Sequence, residues 1–286
     1  MSSSSETLAI FGATGQQGGS VINYVLNHPE LSKQFVIRAV TRNPSKPAAQ
    51  VLQQQGVEVV KGDLLYAKEI IQGKNLADAA VAVAVQYIIF STVQHAGEVS
   101  SGKHSHVHAF NAKANIEKYI RSLPIKSAFF GPSFFYQDFA STFFVPQRQD
   151  NGTFTIFNVV SPQSVFEFFD PVADTGKFVG AILAEPDKFE GETLYAAATF
   201  CSFEEAAEMI SKSTGKTVKY KQVSADEFYQ AMPALSSINV HLMLFVEEFG
   251  FLGPKGKELA ERSTKNIHAK LTTFEEYLQK NPLDLQ

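Results

Sequence analysis

Gly12, Gly15 and Gly18 recur at a spacing of three between an apolar run, residues 8–11, and an apolar-rich stretch, residues 21–26. Glycines so spaced let a chain turn tightly out of a strand, bring bare backbone against a pyrophosphate and lay the next helix close on the sheet. The first N–H groups of that helix have no partners within it and carry partial positive charge, so they suit an anionic phosphate. Without a ligand, the same residues make a glycine-rich turn. A strand before and a helix after are the context that favours phosphate binding.

Arg42 and Lys46 bear on the same chemistry. At the end of the second strand of a dinucleotide-binding fold, a carboxylate binds the adenosine 2′-hydroxyl, whereas a cation accommodates a 2′-phosphate. Residues 31–57 contain no Asp or Glu, and Arg42 stands at the strand end with Lys46 after it. The planar guanidinium suits phosphate oxygens. The pattern therefore predicts NADP over NAD, the alternative for Arg42 being an ordinary surface arginine. Asp63 follows the third strand and either approaches the adenine edge or is a plain turn aspartate.

Lys113 shares a helical stripe with Ala109, Phe110, Ile116 and Ile120. It either snorkels to solvent or bonds a ribose at the rim of a cofactor cleft. The proton-transfer dyad of short-chain dehydrogenases has a tyrosine four residues before such a lysine, so that the cation lowers the phenol pKa. Here Ala109 takes that place, and none of the nine tyrosines has a lysine four residues later. No catalytic residue is assigned, although His108 lies next to the vacant position. His104, His106 and His108 alternate, but with no carboxylate nearby to orient them a polar loop is expected, and no metal. GxSxG, HExxH and CxxC are absent, which leaves hydrolase and metalloprotease chemistry unsupported.

These residues need a framework of alternating strands and helices. Strands are expected at 8–11, 35–42 and 57–63, with helices after the first two; Gly56 closes the second helix. That is one nucleotide-binding half of a doubly wound sheet. The second half is short. Between Asp63 and the next strand, 87–93, there is room for only one helix, 70–85, whereas a βαβ unit takes roughly 30 residues or more. One strand and its connections are missing from the expected pattern. Residues 79–85 alternate alanine and valine as a strand would, but they continue the helix without a break. A helix over 107–122 and a strand over 126–130 follow. Asp150-Asn151-Gly152 signals a turn, so the reading is a Rossmann-like α/β domain over 1–149 and a smaller α/β domain over 150–286. Ser202/Glu205 and Ser224/Glu227 fit the capping box of two helices in the second domain.

Composition sets outer bounds. With 286 residues, 44% hydrophobic and 19% charged, the chain reads as globular, and its net charge of −4 argues against direct binding to nucleic acid. The single Cys201 excludes an internal disulfide. A polar amino terminus and the lack of a long apolar run predict a cytoplasmic protein without a membrane span. Phenylalanine is abundant, at 25 residues, and carries no functional signal in itself.

Taken in order, Gly12-Ala13-Thr14-Gly15-Gln16-Gln17-Gly18, Thr41-Arg42-Asn43-Pro44-Ser45-Lys46, Gly62-Asp63-Leu64, Gln72-Gly73-Lys74, Lys113 ahead of Glu117-Lys118-Tyr119, and Ala173-Asp174-Thr175-Gly176-Lys177 resemble the NmrA-like family of atypical short-chain dehydrogenases. The resemblance covers nearly the whole chain. It implies a Rossmann domain with a smaller carboxy-terminal domain and dinucleotide binding, often without dehydrogenase activity. Family members include sensors of NADPH balance, negative regulators that act on transcription factors and NADPH-dependent quinone reductases; a nuclear location is implied for the regulators. Carried over residue by residue, the cofactor contacts are Gly12, Ala13, Thr14, Gly15, Gln16, Gln17, Arg42, Asn43, Lys46, Asp63, Leu64 and Lys113. They extend to Phe134, Phe135, Tyr136 and Gln137. The chain departs from the family by lacking a strand and its loop between Leu65 and Lys68, and by Ile71 where relatives have a cofactor-binding lysine. The expectation is an NADP(H)-binding, non-catalytic redox sensor or negative regulator with a protein partner and a weakened cofactor site. An NADPH-dependent reductase of quinones or carbonyls is the alternative, and a purely structural protein the third.

Overall fold

The computed structural model describes residues 5–62, 69–141, 143–232 and 237–286. Its first half alternates as the sequence pattern predicts: β1 (Glu6–Phe11), α1 (Gln16–Asn27), a one-turn α2 (Leu31–Gln34), β2 (Phe35–Thr41), α3 (Pro47–Gln54), β3 (Glu58–Lys61), α4 (Glu69–Ala82) and β4 (Tyr87–Ser91). Then come α5 (Ala96–Val99), α6 (His108–Arg121), β5 (Lys126–Pro132), β6 (Phe134–Phe135), α7 (Asp138–Ser141), β7 (Gln147–Arg148), β8 (Phe154–Asn158), β9 (Val165–Phe169) and α8 (Pro171–Ala184). The chain ends with β10 (Thr193–Ala196), β11 (Thr199–Ser202), α9 (Phe203–Thr214), β12 (Val218–Gln222), α10 (Ala225–Ala231), α11 (Ser237–Phe249), α12 (Gly256–Ile267) and α13 (Phe274–Lys280). Two compact units result. One comprises 1–90, 116–130 and 171–193, the other 91–115, 131–170 and 194–286.

In the first unit β1, β2 and β3 form a parallel sheet in that order, with Ile10 beside Ala39 and Val40 beside Val60. β4 lies in a different sheet, next to β5. Among the described residues no strand links β1 to β4, and the interval in which the expected pattern lacks one begins outside them. Ile10, Val21, Ile22, Val25 and Ile37 form a core completed by Val179 and Leu183 of α8. α1 and α8 pack closely because α8 has glycine where they meet. A Cβ on Gly180 would lie 2.1 Å from Tyr24 Cε1, and the Gly176 N–H donates to Ser20 Oγ at 2.9 Å. Gly73 serves α4 likewise, since its Cβ would sit 2.4 Å from Ile116.

Residues 79–85 resolve as helix and stop. α4 runs to Ala82, the Val85 N–H reaches back to the Ala80 carbonyl, and Ala84 sits at φ +55° in the left-handed position that usually takes glycine. The alanine–valine alternation leaves Val83 and Val85 exposed.

The second unit accounts for the phenylalanine content. Phe134, Phe139, Phe144, Phe166, Phe168, Phe203, Phe251 and Phe274 interlock in one core, with Phe134 4.5 Å from Phe251 and Phe144 4.8 Å from Phe203. Such ring pairs add about 0.5–1.5 kcal/mol each beyond burial. The core lies among two sheets, β11-β9-β6 and β12-β8-β7. Both expected capping boxes form, and Thr273/Glu276 makes a third on α13. Among the described residues no helix is long and apolar enough to cross a membrane.

Candidate functional site

The glycine turn has the geometry its spacing predicts. Gly12 leaves β1 at φ +66°, Gly15 caps α1, and a Cβ on Gly18 would lie 2.4 Å from the Gly12 carbonyl oxygen. No real side chain fits there, so Gly18 permits the turn to fold onto its own helix. Gly12, Thr14, Gly15 and Gln16 are exposed, Gln17 is half-buried and Ala13 is buried. No side chain caps α1, and its first turn holds no acid. The amide donors at this helix end are therefore offered to an anion by an uncrowded, solvent-open turn. The sign of that helix end suits a dinucleotide pyrophosphate.

Hydrogen bonds tie the end of β2 to this turn. The Ala13 N–H donates to the Val40 carbonyl at 3.3 Å, and the Thr14 and Thr41 hydroxyls pair at 3.3 Å. Thr41, buried beneath the junction, also accepts from the Gly62 N–H at 3.0 Å through its carbonyl. Sequence reasoning passed over Thr41; its only signal is its place before Arg42. Arg42 follows it directly and is exposed, and no described carboxylate pairs with it. Asn43 Oδ1 accepts from the Ser45 N–H at 3.0 Å, shaping the loop that leads to exposed Lys46 at the N-cap of α3. Asp63 and Leu64 lie outside the described residues. Ile71 is half exposed, at 50%.

The remaining candidates belong to the second unit and are described within it. Lys113 is exposed, flanked by buried Ala112 and Ala114, and exposed Ala109 stands where a dyad tyrosine would be. Of the stripe that the sequence predicts on α6, Phe110, Ile116 and Ile120 are buried, whereas Ala109 and Lys113 are exposed. Phe134 and Tyr136 have buried side chains. Phe134 is locked among core rings, and the Tyr136 hydroxyl bonds Thr199 Oγ1 at 2.6 Å and donates to the Thr272 carbonyl at 3.1 Å. Phe135 and Gln137 are half-buried. Gln137 Nε2 donates to Asp170 Oδ1 at 3.0 Å, while its Oε1 is buried with no hydrogen-bond partner among the described residues. Beside it, burial pushes the Asp138 carboxyl up to about 6, against the opposing pull of the Phe135 N–H at 3.2 Å.

The alternating histidines do not converge. His104 is buried, with Nε2 3.1 Å from Glu248 Oε2 and its ring edge-on to Phe245 and Phe249. His106 and His108 are exposed, and His106 neighbours His241 at 5.5 Å between ring centres. Among the described residues no three His, Cys, Asp or Glu side chains could hold a metal ion. Burial pushes the Cys201 thiol up to about 12, so little nucleophilic thiolate forms near neutral pH.

Comparison with known proteins gives the family and the fold. An NmrA-like family domain-containing protein of Dictyostelium discoideum is 28% identical over 309 aligned positions, covering 96% of this chain and 98% of the relative. The NmrA-like family domain-containing oxidoreductase FrzB of Cladobotryum sp. is 25% identical, covering 82% and 79%. Among solved structures, NmrA, a negative transcriptional regulator in complex with NADP, superposes with a TM-score of 0.78 at 20% identity over 97% of this chain and 95% of that one. The NADPH-dependent quinone oxidoreductase QOR2 of Escherichia coli, complexed with NADPH, gives 0.74 at 21% identity over 95% and 98%. Those two likenesses establish the Rossmann-type fold. The sequence profile of the NmrA-like family matches residues 4–66 and 65–278. Nearly the whole chain is thereby accounted for, and it belongs to the NmrA-like family.

Proposed function

We propose that this chain binds NADP(H) in preference to NAD and acts as a non-catalytic redox sensor, a negative regulator working through a protein partner. One observation carries the binding half: the uncapped, solvent-open amino terminus of α1 near an exposed Arg42 that no described carboxylate pairs, with no Asp or Glu from residue 31 to 57. In this reading the α1 amides hold the pyrophosphate, and Arg42 and Lys46 meet the 2′-phosphate. The nicotinamide would supply hydride chemistry when bound. What argues against using it on a carbonyl is Ala109, a methyl group where proton donation would be needed. Signalling by NADP(H) occupancy needs no such donor. The NADP complex of NmrA, a named negative transcriptional regulator, supports the reading by likeness of fold.

A second reading is favoured by the names of FrzB and QOR2, an oxidoreductase and an NADPH-dependent quinone oxidoreductase. A quinone accepts hydride without an enzymic phenol. NADPH oxidation assayed against a panel of quinones and carbonyls separates the two. The sensor reading expects no turnover above the protein-free rate; sustained turnover assigns the reductase.

A further inference from the structure

Ser45 stands between Arg42 and Lys46 in the loop that joins β2 to α3. Of the chain's five arginines, only Arg38 and Arg42 have a hydroxyl residue three positions on, at Thr41 and Ser45. Thr41 is closed to solvent. It is buried at the end of β2 with its hydroxyl paired to that of Thr14, and Arg38 is engaged with Glu58 at 2.8 Å. Ser45 is open. It is exposed together with Arg42 and Lys46, and so are Asn43 and Pro47 around them. Two short-range contacts shape the loop: the Ser45 N–H donates to Asn43 Oδ1 at 3.0 Å, and the Lys46 N–H to the Asn43 carbonyl at 3.3 Å. A loop held by so little opens locally at small cost, which lets another protein's cleft take it in extended form.

We infer that Ser45 is a phosphorylation site for a protein kinase that selects arginine three residues upstream, and that its phosphate closes the chain to NADP. This regulation rests on the reading in which Arg42 and Lys46 meet the 2′-phosphate. The phosphoryl donor is ATP. Ser45 Oγ bonds to the γ-phosphorus as the bond to the bridging oxygen breaks, ADP departs, and the hydroxyl proton passes to a carboxylate of the kinase. Arg42 supplies the charge by which such an enzyme tells Ser45 from other serines. Phosphoserine carries about 1.5 to 2 negative charges at neutral pH and three acceptor oxygens, matching the phosphate on the adenosine ribose in kind. Tethered three residues from Arg42 and one from Lys46, it engages both cations without the association entropy that a dissolved dinucleotide must lose. It also repels a second phosphate brought to the same place. With no Asp or Glu over residues 31–57, and so none in the first turn of α3, Arg42 and Lys46 are the local charges that decide the outcome. NAD bears a hydroxyl where NADP bears the phosphate, so it loses little.

Two experiments on the full chain test this. In the first, wild type and Arg42→Ala are treated with ATP and the catalytic subunit of cyclic-AMP-dependent protein kinase, and the modified residue is located by mass spectrometry. Phosphorylation of Ser45 in the wild type and its loss in Arg42→Ala are expected. A Ser45 left bare, or modified equally in both, overturns the site. In the second, phosphoserine is placed at position 45 by codon suppression, and NADP and NAD are titrated calorimetrically into that chain, wild type and Ser45→Ala. Ser45 is exposed, and circular dichroism verifies that each form is folded. Phosphoserine is expected to weaken NADP by about tenfold or more and NAD by no more than about twofold, with Ser45→Ala like the wild type. A wild-type preference for NADP that survives phosphoserine overturns the regulation and leaves the cofactor reading standing. A wild type that does not distinguish the two dinucleotides removes the cofactor reading, and the regulation falls with it.

Discussion

Gly18 and Arg42 bear the weight of the site for opposite reasons, one by lacking atoms and the other by carrying charge. Gly18→Ala forces a Cβ to within 2.4 Å of a backbone carbonyl oxygen, so the turn must shift. The expected cost is about 1–3 kcal/mol, seen as a lowered melting temperature together with weaker dinucleotide binding. Arg42→Glu should leave stability nearly unchanged, because Arg42 is exposed and bonds nothing described. It should weaken NADP binding by about 10- to 100-fold, the worth of a charge-assisted hydrogen bond, and leave NAD almost untouched. Asp138 gives a pH signature. Its folded-state pKa, raised by burial from 3.8 to about 6, means that the folded chain holds the proton more tightly than the unfolded one. The associated stability is therefore present below pH ~4 and lost as pH climbs through ~6. Melting curves from pH 4 to 7 should show that decline in the wild type and a flatter profile in Asp138→Asn, whose side-chain oxygen still accepts from the Phe135 N–H.

Helix ends and glycine turns were legible at the scale of elements because their causes are local. A serine with a glutamate three residues on, or a Gly215 at φ +69°, acts within one turn of chain. β8 and β9 were not legible. Phe154–Asn158 and Val165–Phe169 are short apolar runs without a decisive period, and β8 is a strand because Val218–Gln222 pairs along it from far down the chain. β6 and β7, two residues each, depend on such pairing altogether. α4 shows the same contest inside one element: helix continuity overrode the strand-like alternation of 79–85, and an alanine was left in a left-handed position. Ala84→Gly should remove that strain and raise stability by about 0.5–1 kcal/mol in denaturant melts, against the usual cost of glycine. The site was legible to the same degree. Its glycine turn and Arg42 follow from spacing, whereas the roles assigned to Phe134 and Tyr136 rested on resemblance, and no local signal revealed that the aromatic core takes up both side chains.

For the molecule as a whole, the two units differ in how their cores are built. β1 and β4 fall in separate sheets of the first unit, whereas the second unit encloses one extensive aromatic core. Local stability should follow that difference. Amide exchange is expected to be faster in β1 to β3 than in β8, β9 and β11, and equal protection in the two sets would count against it. The central claim is that the first unit grips a 2′-phosphorylated dinucleotide at its glycine turn. Isothermal titration of the purified chain with NADP and with NAD, repeated on Arg42→Glu, tests it most directly. The account predicts saturable heat with NADP, a weaker response to NAD, and no difference between the two in the variant. No binding of either dinucleotide, or NAD bound as tightly as NADP by the wild type, would contradict it.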